Sequence, residues 1–270
     1  MVDDMVVSSQ QKYLNVTSVI VIPTFNESET LPLLIHDLSK HLNETEAILV
    51  IDDSTKDIYL SMVLRSQDLV DKNYYGMHFV SNDRKGGRGN AVLQGMKVAI
   101  KKFPNLSAVV ECDADLSHSP KDILRVLRHD SRNEVIIGSR YLPESKILGW
   151  SLSRILFSKA INFMIPRMLN LEITDVTNGL RRYSINAVST ILKHPQYNTG
   201  FIYLTEQILH INNSCLSIKE IPIIFKNRTL GKSSVTSSEV FASIIGLVKL
   251  WVGYKLQRIP KFFGLTQRKK

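Results

Sequence analysis

Five short, almost wholly apolar runs constrain this chain more than any other feature. They are VTSVIVI at 16–22, AILVI at 47–51, MHFV at 77–80, AVVE at 108–111 and EVIIG at 134–138. Runs this continuous belong to strands covered on both faces rather than to strands with one wet face. Helical patterns fall between them, at about 29–40, 57–70, up to 102 and 119–129. Strand and helix in alternation predict βαβ units on a mostly parallel sheet flanked by helices, an α/β fold. The segment SPKD at 119–122 predicts a helix start, with Ser119 as N-cap, Pro120 at the first helical position and Asp122 at the third.

In sheets of this kind ligands gather at the carboxyl ends of the strands. Polar clusters stand there in this sequence: PTFNE at 23–27, Asp52 and Asp53, Asp113 with Asp115, and Ser139 with Arg140. Four such clusters on one rim favour a nucleotide-type site over ordinary polar loops. Asp113 and Asp115 are hard oxygen donors one residue apart, suited to Mg²⁺ or Mn²⁺ that also take substrate phosphate oxygens. His118 follows three residues later and reads as a solvent-facing loop histidine rather than a third ligand. The turn KGGRG at 85–89 lacks the Gly-Lys-Ser/Thr of a phosphate-binding P-loop.

Beyond Arg140 the pattern changes. Residues 147–169 read as a long apolar, basic helix interrupted at Pro166. Residues 201–211 read as a helix carrying Glu206, 217–228 as one strand, and 240–256 as an apolar helix. The net charge of +9 is uneven: residues 240–270 hold seven Lys/Arg and no acid. The stretch 145–171 is also acid-free, with Lys146, Arg154, Lys159 and Arg167 among Trp150, Phe157 and Phe163. Basic charge beside apolar helices suits an anionic membrane surface better than nucleic acid, so no nucleic-acid partner is expected. Seventeen residues with a central lysine and two glycines are short for a bilayer span, so 240–256 is expected to lie in the interface. The cysteines, Cys112 and Cys215, form no CxxC or Cys/His cluster, which argues against a disulfide scaffold or structural zinc and fits a reducing compartment. No secretory leader pattern opens the sequence, so secretion is not expected.

Six motifs, PTFNE at 23–27, IDDS at 51–54, GRGNA at 87–91, DAD at 113–115, GSRY at 138–141 and DVTNG at 175–179, stand in one order and spacing. In this the chain resembles the inverting GT-A glycosyltransferases of family 2, and more narrowly the dolichyl (polyprenyl) phosphate mannose synthases. GFIYLTE at 200–206 and EIPIIFKNR at 220–228 are similar to that family too. The resemblance covers about 16–238. It implies a GT-A (Rossmann-like) catalytic domain at 16–238, after an N-terminal tail at 1–15 and before a membrane-associating amphipathic helix and basic tail at 239–270.

The resemblance further implies transfer of mannose from GDP-mannose to a dolichyl or polyprenyl phosphate, with inversion. The enzyme would sit peripherally on the cytoplasmic face of a membrane, the endoplasmic reticulum in a eukaryote or the plasma membrane in a prokaryote, with a small membrane subunit as a partner. Pro23, Phe25, Glu27, Ile51 and Asp53 would hold the base and ribose of the nucleotide sugar, with Ala114 beside them. Asp113 and Asp115 would hold Mg²⁺ or Mn²⁺ and the diphosphate. Arg140 and Arg228 would grip donor and acceptor phosphates, Lys232 adding a point charge; planar guanidinium suits phosphate. The rival readings are a dolichyl-phosphate glucosyltransferase, another family-2 nucleotide-sugar transferase and, from another class, a sugar nucleotidyltransferase. The sequence departs from the family at four places. Phe25 replaces a usual tyrosine, Ser117 replaces a usual glutamine, 54–57 lacks glycines, and Lys232 stands two places before Ser234, the family's usual lysine position.

Overall fold

The computed structural model describes residues 13–70, 74, 76–82, 86–129, 132–196, 198, 202–228 and 245–252. Strands β1 (Ser18–Thr24), β2 (Glu46–Asp52), β3 (Met77–Ser81), β4 (Ala108–Glu111), β5 (Val135–Ser139), β7 (Arg181–Ser184) and β8 (Ile218–Pro222) form one seven-stranded sheet in the order β3-β2-β1-β4-β7-β5-β8. All neighbours pair in parallel except β7, which runs antiparallel between β4 and β5. A separate parallel pair joins β6 (Lys146–Leu148) to β9 (Ile224–Lys226). The helices are α1 (Leu31–Ser39), α2 (Lys56–Leu69), α3 (Arg88–Lys102), α4 (Pro120–Leu127), α5 (Leu152–Leu169), α6 (Ile185–Lys193), α7 (Tyr203–Asn213) and α8 (245–252).

The continuous apolar runs are explained by two cores, one on each face of the sheet. Val19, Val21, Leu49, Ile51, Val109 and Ile137 pack with α3, α6 and α7 on one side. The alternating partners Ile20, Ile22, Ile48, Val50, Val110 and Ile136 pack with α1 and α4 on the other. Successive side chains of a strand point to opposite faces, so both sets must be apolar. Helix α3 comes especially close: a Cβ on Gly95 would lie 2.4 Å from Val21 Cγ1 and 3.2 Å from Ile51 Cγ1. We expect Gly95→Ala to lower stability by about 1–3 kcal/mol through overpacking, read as a reduced urea midpoint at unchanged slope.

The start of α4 forms as the sequence predicts, with Ser119 Oγ accepting from Asp122 N at 3.1 Å and Pro120 in the first turn. Other expectations change in detail. The stretch 147–169 is not one helix: β6 occupies its start, and α5 continues through Pro166 to a left-handed Asn170 (φ 53°). The single strand expected at 217–228 is two, because the chain leaves the main sheet at Ile223, whose N–H reaches Ser139 O (3.2 Å) while its carbonyl accepts from Lys146 N (3.1 Å). Strand β7 and helix α6 go beyond the sequence expectations: the buried Arg181 and Tyr183 are polar-headed side chains that mask the strand pattern of β7. Of the expected helix at 240–256, the described part is α8. Its Leu247 and Leu250 pack on the core while Ile245, Val248, Trp251 and Val252 face out.

Candidate active site

The carboxyl ends of β1, β2, β4 and β5 lie on one rim, since these strands run in the same direction. On the β1–β2 side the chain is tied by buried polar contacts. Asp52 accepts from Thr24 Oγ1 (2.7 Å) and Ser54 Oγ (2.8 Å), and Asn26, at φ 61°, donates its N–H to Ser54 Oγ (2.8 Å). Pro23 and Ile51 are buried beneath this rim, and Phe25 is exposed upon it. Glu27 accepts from Thr30 Oγ1 at 2.5 Å; burial raises its pKa, against the pull of that hydrogen bond. Asp53 is buried and occupied: one oxygen takes Asn82 Nδ2 (2.6 Å), the other the N–H groups of Gly86 (2.9 Å) and Gly87 (3.1 Å). Asp53 therefore holds Gly86 and Gly87, which lead into α3.

At the end of β4, Asp113 Oδ1 accepts from Arg88 Nε at 2.8 Å, and its Oδ2 is 3.8 Å from His118 Nδ1. Burial opposes the charge of Asp113, yet Arg88 and then His118 hold its carboxyl below the ordinary aspartate value. Asp115 Oδ1 accepts from Ser117 N (3.0 Å), and its Oδ2 is 3.7 Å from Arg228 Nε. Each carboxylate thus has one oxygen held by a hydrogen bond and one with only a long contact. Ala114 between them is buried. Among the described residues no group of three or more His, Cys, Asp or Glu converges. Two hard carboxylates with places left for phosphate oxygens fit Mg²⁺ or Mn²⁺. The buried Ser117 Oγ, two residues after Asp115, makes no hydrogen bond.

His118 departs from expectation. It is buried rather than solvent-facing, with Nε2 2.9 Å from Asn178 Oδ1 and its ring edge-on to Phe225. The bridge between His118 and Phe225 pulls the loop down onto β9, which is what buries the ring.

Across the site, Arg140 is locked. Its Nε and Nη2 donate to the two Asp175 oxygens at 2.8 Å each, its backbone N–H reaches Asp175 at 3.0 Å, and Nη2 also reaches Thr177 Oγ1 at 2.6 Å. Burial would raise the Asp175 carboxyl, but Arg140 and the backbone donors hold it below the ordinary value. Glu220 on β8 fixes the loop in turn, accepting from Thr174 N (2.7 Å) and Asp175 N (2.9 Å). Arg228 has 24% of its side chain exposed. A further cation, not picked out by sequence reasoning, joins them: Arg154, on the first turn of α5, lies 3.9 Å above the Trp150 ring and donates to Asn227 Oδ1 at 3.1 Å. Burial, and next the charges of Arg228 and Arg140, lower its pKa. Arg154 thus adds a third guanidinium beside Arg140, which is paired with Asp175, and Arg228, which lies 3.7 Å from Asp115. Lys232 lies outside the described residues.

Residues 19–192 match the model of the family described as "Glycosyl transferase family 2". The chain belongs to glycosyl transferase family 2. It is accordingly a glycosyltransferase, and its sheet with the carboxylate pair at the end of β4 is the GT-A fold of that family. Among curated proteins it is 29% identical to the polyprenol monophosphomannose synthase of Mycolicibacterium smegmatis, over 89% of each chain. It is also 29% identical to the undecaprenyl-phosphate mannosyltransferase of Micrococcus luteus, over 87% of this chain and 96% of that one. Among solved structures it is similar in fold to glucosyl-3-phosphoglycerate synthase from Mycobacterium tuberculosis in complex with UDP. That match has a TM-score of 0.61 at 14% identity, covering 91% of this chain and 82% of the other. The same enzyme in complex with Mn²⁺, UDP and phosphoglyceric acid aligns with a TM-score of 0.59 at 14% identity, covering 91% of this chain and 80% of that one.

Proposed function

We propose that this enzyme transfers mannose from GDP-mannose to a polyprenyl or dolichyl monophosphate, with inversion, at a membrane surface. The observation that carries the reading is a site of carboxylates and arginines at the foot of an exposed apolar helix. Asp113 and Asp115 meet Arg140, Arg154 and Arg228 there, Arg228 lying 3.7 Å from Asp115, and Arg154 sits on α5 itself. The curated mannosyltransferase relatives support the sugar and the class of acceptor.

In this reading Pro23, Phe25, Glu27, Ile51, Asp53 and Ala114 form the nucleoside side, and Asp113 and Asp115 hold the divalent cation. Bound there, the cation would neutralise charge on the departing diphosphate. Arg154 and Arg228 take the acceptor phosphate, while Arg140, anchored by Asp175, adds positive charge to the phosphate-binding part of the site. A phosphate monoester is already anionic near neutral pH, so it can attack without a general base, and positioning and electrostatics supply the catalysis. Buried His118, engaged by Asn178, has no proton-transfer role in this scheme.

The surface of α5 supports the membrane part of this reading. Leu152, Leu156, Phe157, Phe163 and Met164 are exposed on it, interleaved with Arg154, Lys159 and Arg167, a composition suited to an anionic interface. No described helix is long and apolar enough to cross a membrane. Beside α5 lies an open, largely apolar cleft of about 570 Å³ lined by Tyr141, Lys159, Phe163, Pro166, Arg167 and Leu171, where an isoprenoid chain could lie. Leu156→Asp with Phe157→Asp should abolish co-sedimentation with anionic vesicles while leaving the melting temperature unchanged, since both side chains are solvent-facing. Arg154→Ala is expected to raise KM for polyprenyl phosphate about tenfold or more with little change in KM for GDP-mannose, as loss of one charge-assisted contact would do.

The reaction is tested by offering the purified protein, with Mn²⁺ and polyprenyl phosphate, GDP-mannose, UDP-glucose and UDP-GlcNAc in parallel. Transfer from GDP-mannose alone is expected. Transfer from UDP-glucose alone would make it a polyprenyl-phosphate glucosyltransferase instead.

A further inference from the structure

Arg88 is a cation, with 20% of its side chain exposed, that the scheme above does not use. It stands at the start of α3, and its guanidinium reaches three parts of the chain. Nε donates to Asp113 Oδ1 (2.8 Å), Nη2 lies 3.4 Å from Gly179 O, and Nη1 is 3.5 Å from Glu111 Oε2. Nη1 makes no hydrogen bond. The guanidinium stacks over the Tyr203 ring, 5.3 Å from its centroid. Glu111 is itself fixed by hydroxyl donors, Tyr183 at 2.8 Å and Tyr203 at 2.9 Å.

Two glycines make room for this arrangement. A Cβ on Gly179 would lie 2.3 Å from Arg88 Nη2 and 3.0 Å from its Cζ. A Cβ on Gly89 would lie 2.9 Å from Tyr203 Cγ, against the ring on which Arg88 stacks. The backbone is therefore cleared on both sides of one side chain, whose only short hydrogen bond goes to Asp113.

We infer that Arg88 is a positioning residue: it fixes the Asp113 carboxylate through Oδ1, so that Oδ2 is presented to a divalent cation, and Gly179 is glycine because Arg88 must pass there. Hydrogen bonds behind a ligating carboxylate set its orientation, and their loss commonly weakens metal affinity about 10–100-fold. A guanidinium so close also repels a cation, and the two effects have opposite signs. The nearby Glu111 carboxylate offsets the repulsion, which leaves orientation as the larger effect.

The inference rests on Asp113 and Asp115 as cation ligands, and its test separates the two ideas. Mn²⁺ binding is measured by electron paramagnetic resonance titration in the presence of GDP, for the wild-type chain and for Arg88→Lys, Arg88→Met and Gly179→Ala. Arg88→Lys keeps the charge and loses the guanidinium geometry; Gly179→Ala keeps both charges but displaces the guanidinium, its Cβ also standing 3.3 Å from Asp113 Oδ1, so Arg88→Lys is the variant that isolates Arg88. The Mn²⁺ Kd is expected to rise about 10–100-fold in all three. If Arg88→Met does not fold, the other two variants decide. An unchanged Kd in folded Arg88→Lys and Gly179→Ala, or tighter binding in Arg88→Met, overturns the role of Arg88. Absence of Mn²⁺ binding by the wild-type chain overturns the ligand assignment beneath it.

Discussion

Asp115→Ala is expected to lose transfer by about 10²–10³-fold or more while melting at the wild-type temperature. The size follows from removing one of the two carboxylates that hold the charge-neutralising cation against the diphosphate. The unchanged stability follows from its surroundings. The carboxylate makes one hydrogen bond, to Ser117 N, and one long contact to Arg228. Removing it also relieves a carboxylate that raises the pKa of Glu27. Turnover and a thermal melt on the same preparation check both halves. Full activity in this variant would remove Asp115 from the site.

Asp175→Asn is expected to behave differently, losing both activity and fold stability. Arg140 is buried with only 7% of its side chain exposed, and Asp175 supplies both oxygens of its fork. Taking away one partner of a buried pair leaves an uncompensated charge and costs about 3–5 kcal/mol. The variant also changes the acid limb. The Asp175 carboxyl is held below the ordinary aspartate value in the folded chain. Its contribution is therefore complete above the unfolded pKa of about 3.9 and fades as pH falls through the lower folded value. Denaturant midpoints between about pH 7 and pH 3 should accordingly fall more steeply with acid in the wild type than in Asp175→Asn. Parallel curves would show that the pair contributes no pH-dependent stability.

Much of the molecule was legible because the signals were local. Apolar runs such as 47–51 can only be doubly covered strands, and the Ser119–Pro120–Asp122 start of α4 forms as read. The strand-end carboxylates of 113 and 115 stand on the expected rim because the parallel direction of the strands puts them there. What escaped depended on long-range pairing. Strand β7 is a short polar-looking segment that becomes a strand only by wedging between β4 and β5. The burial of His118 depends on Phe225, more than a hundred residues away. Arg154 and Arg88 look like ordinary basic residues in sequence. Their roles come from what the fold places opposite them: Trp150 and Asn227 for one, Asp113 and Gly179 for the other. The Arg140 grip on Asp175 was likewise hidden, since the DVTNG motif at 175–179 does not reveal which cation its aspartate receives.

The most direct test of the proposed reaction is the anomeric configuration of the lipid product. The purified protein is supplied with GDP-α-mannose, Mn²⁺ and polyprenyl phosphate, and the carbon–proton coupling at the mannosyl anomeric centre is measured by NMR. A β-linked mannosyl phospholipid is predicted, the result of one displacement by the acceptor phosphate. An α-linked product would require a second displacement through a nucleophile of the protein and would contradict the account, as would the failure of any mannolipid to form.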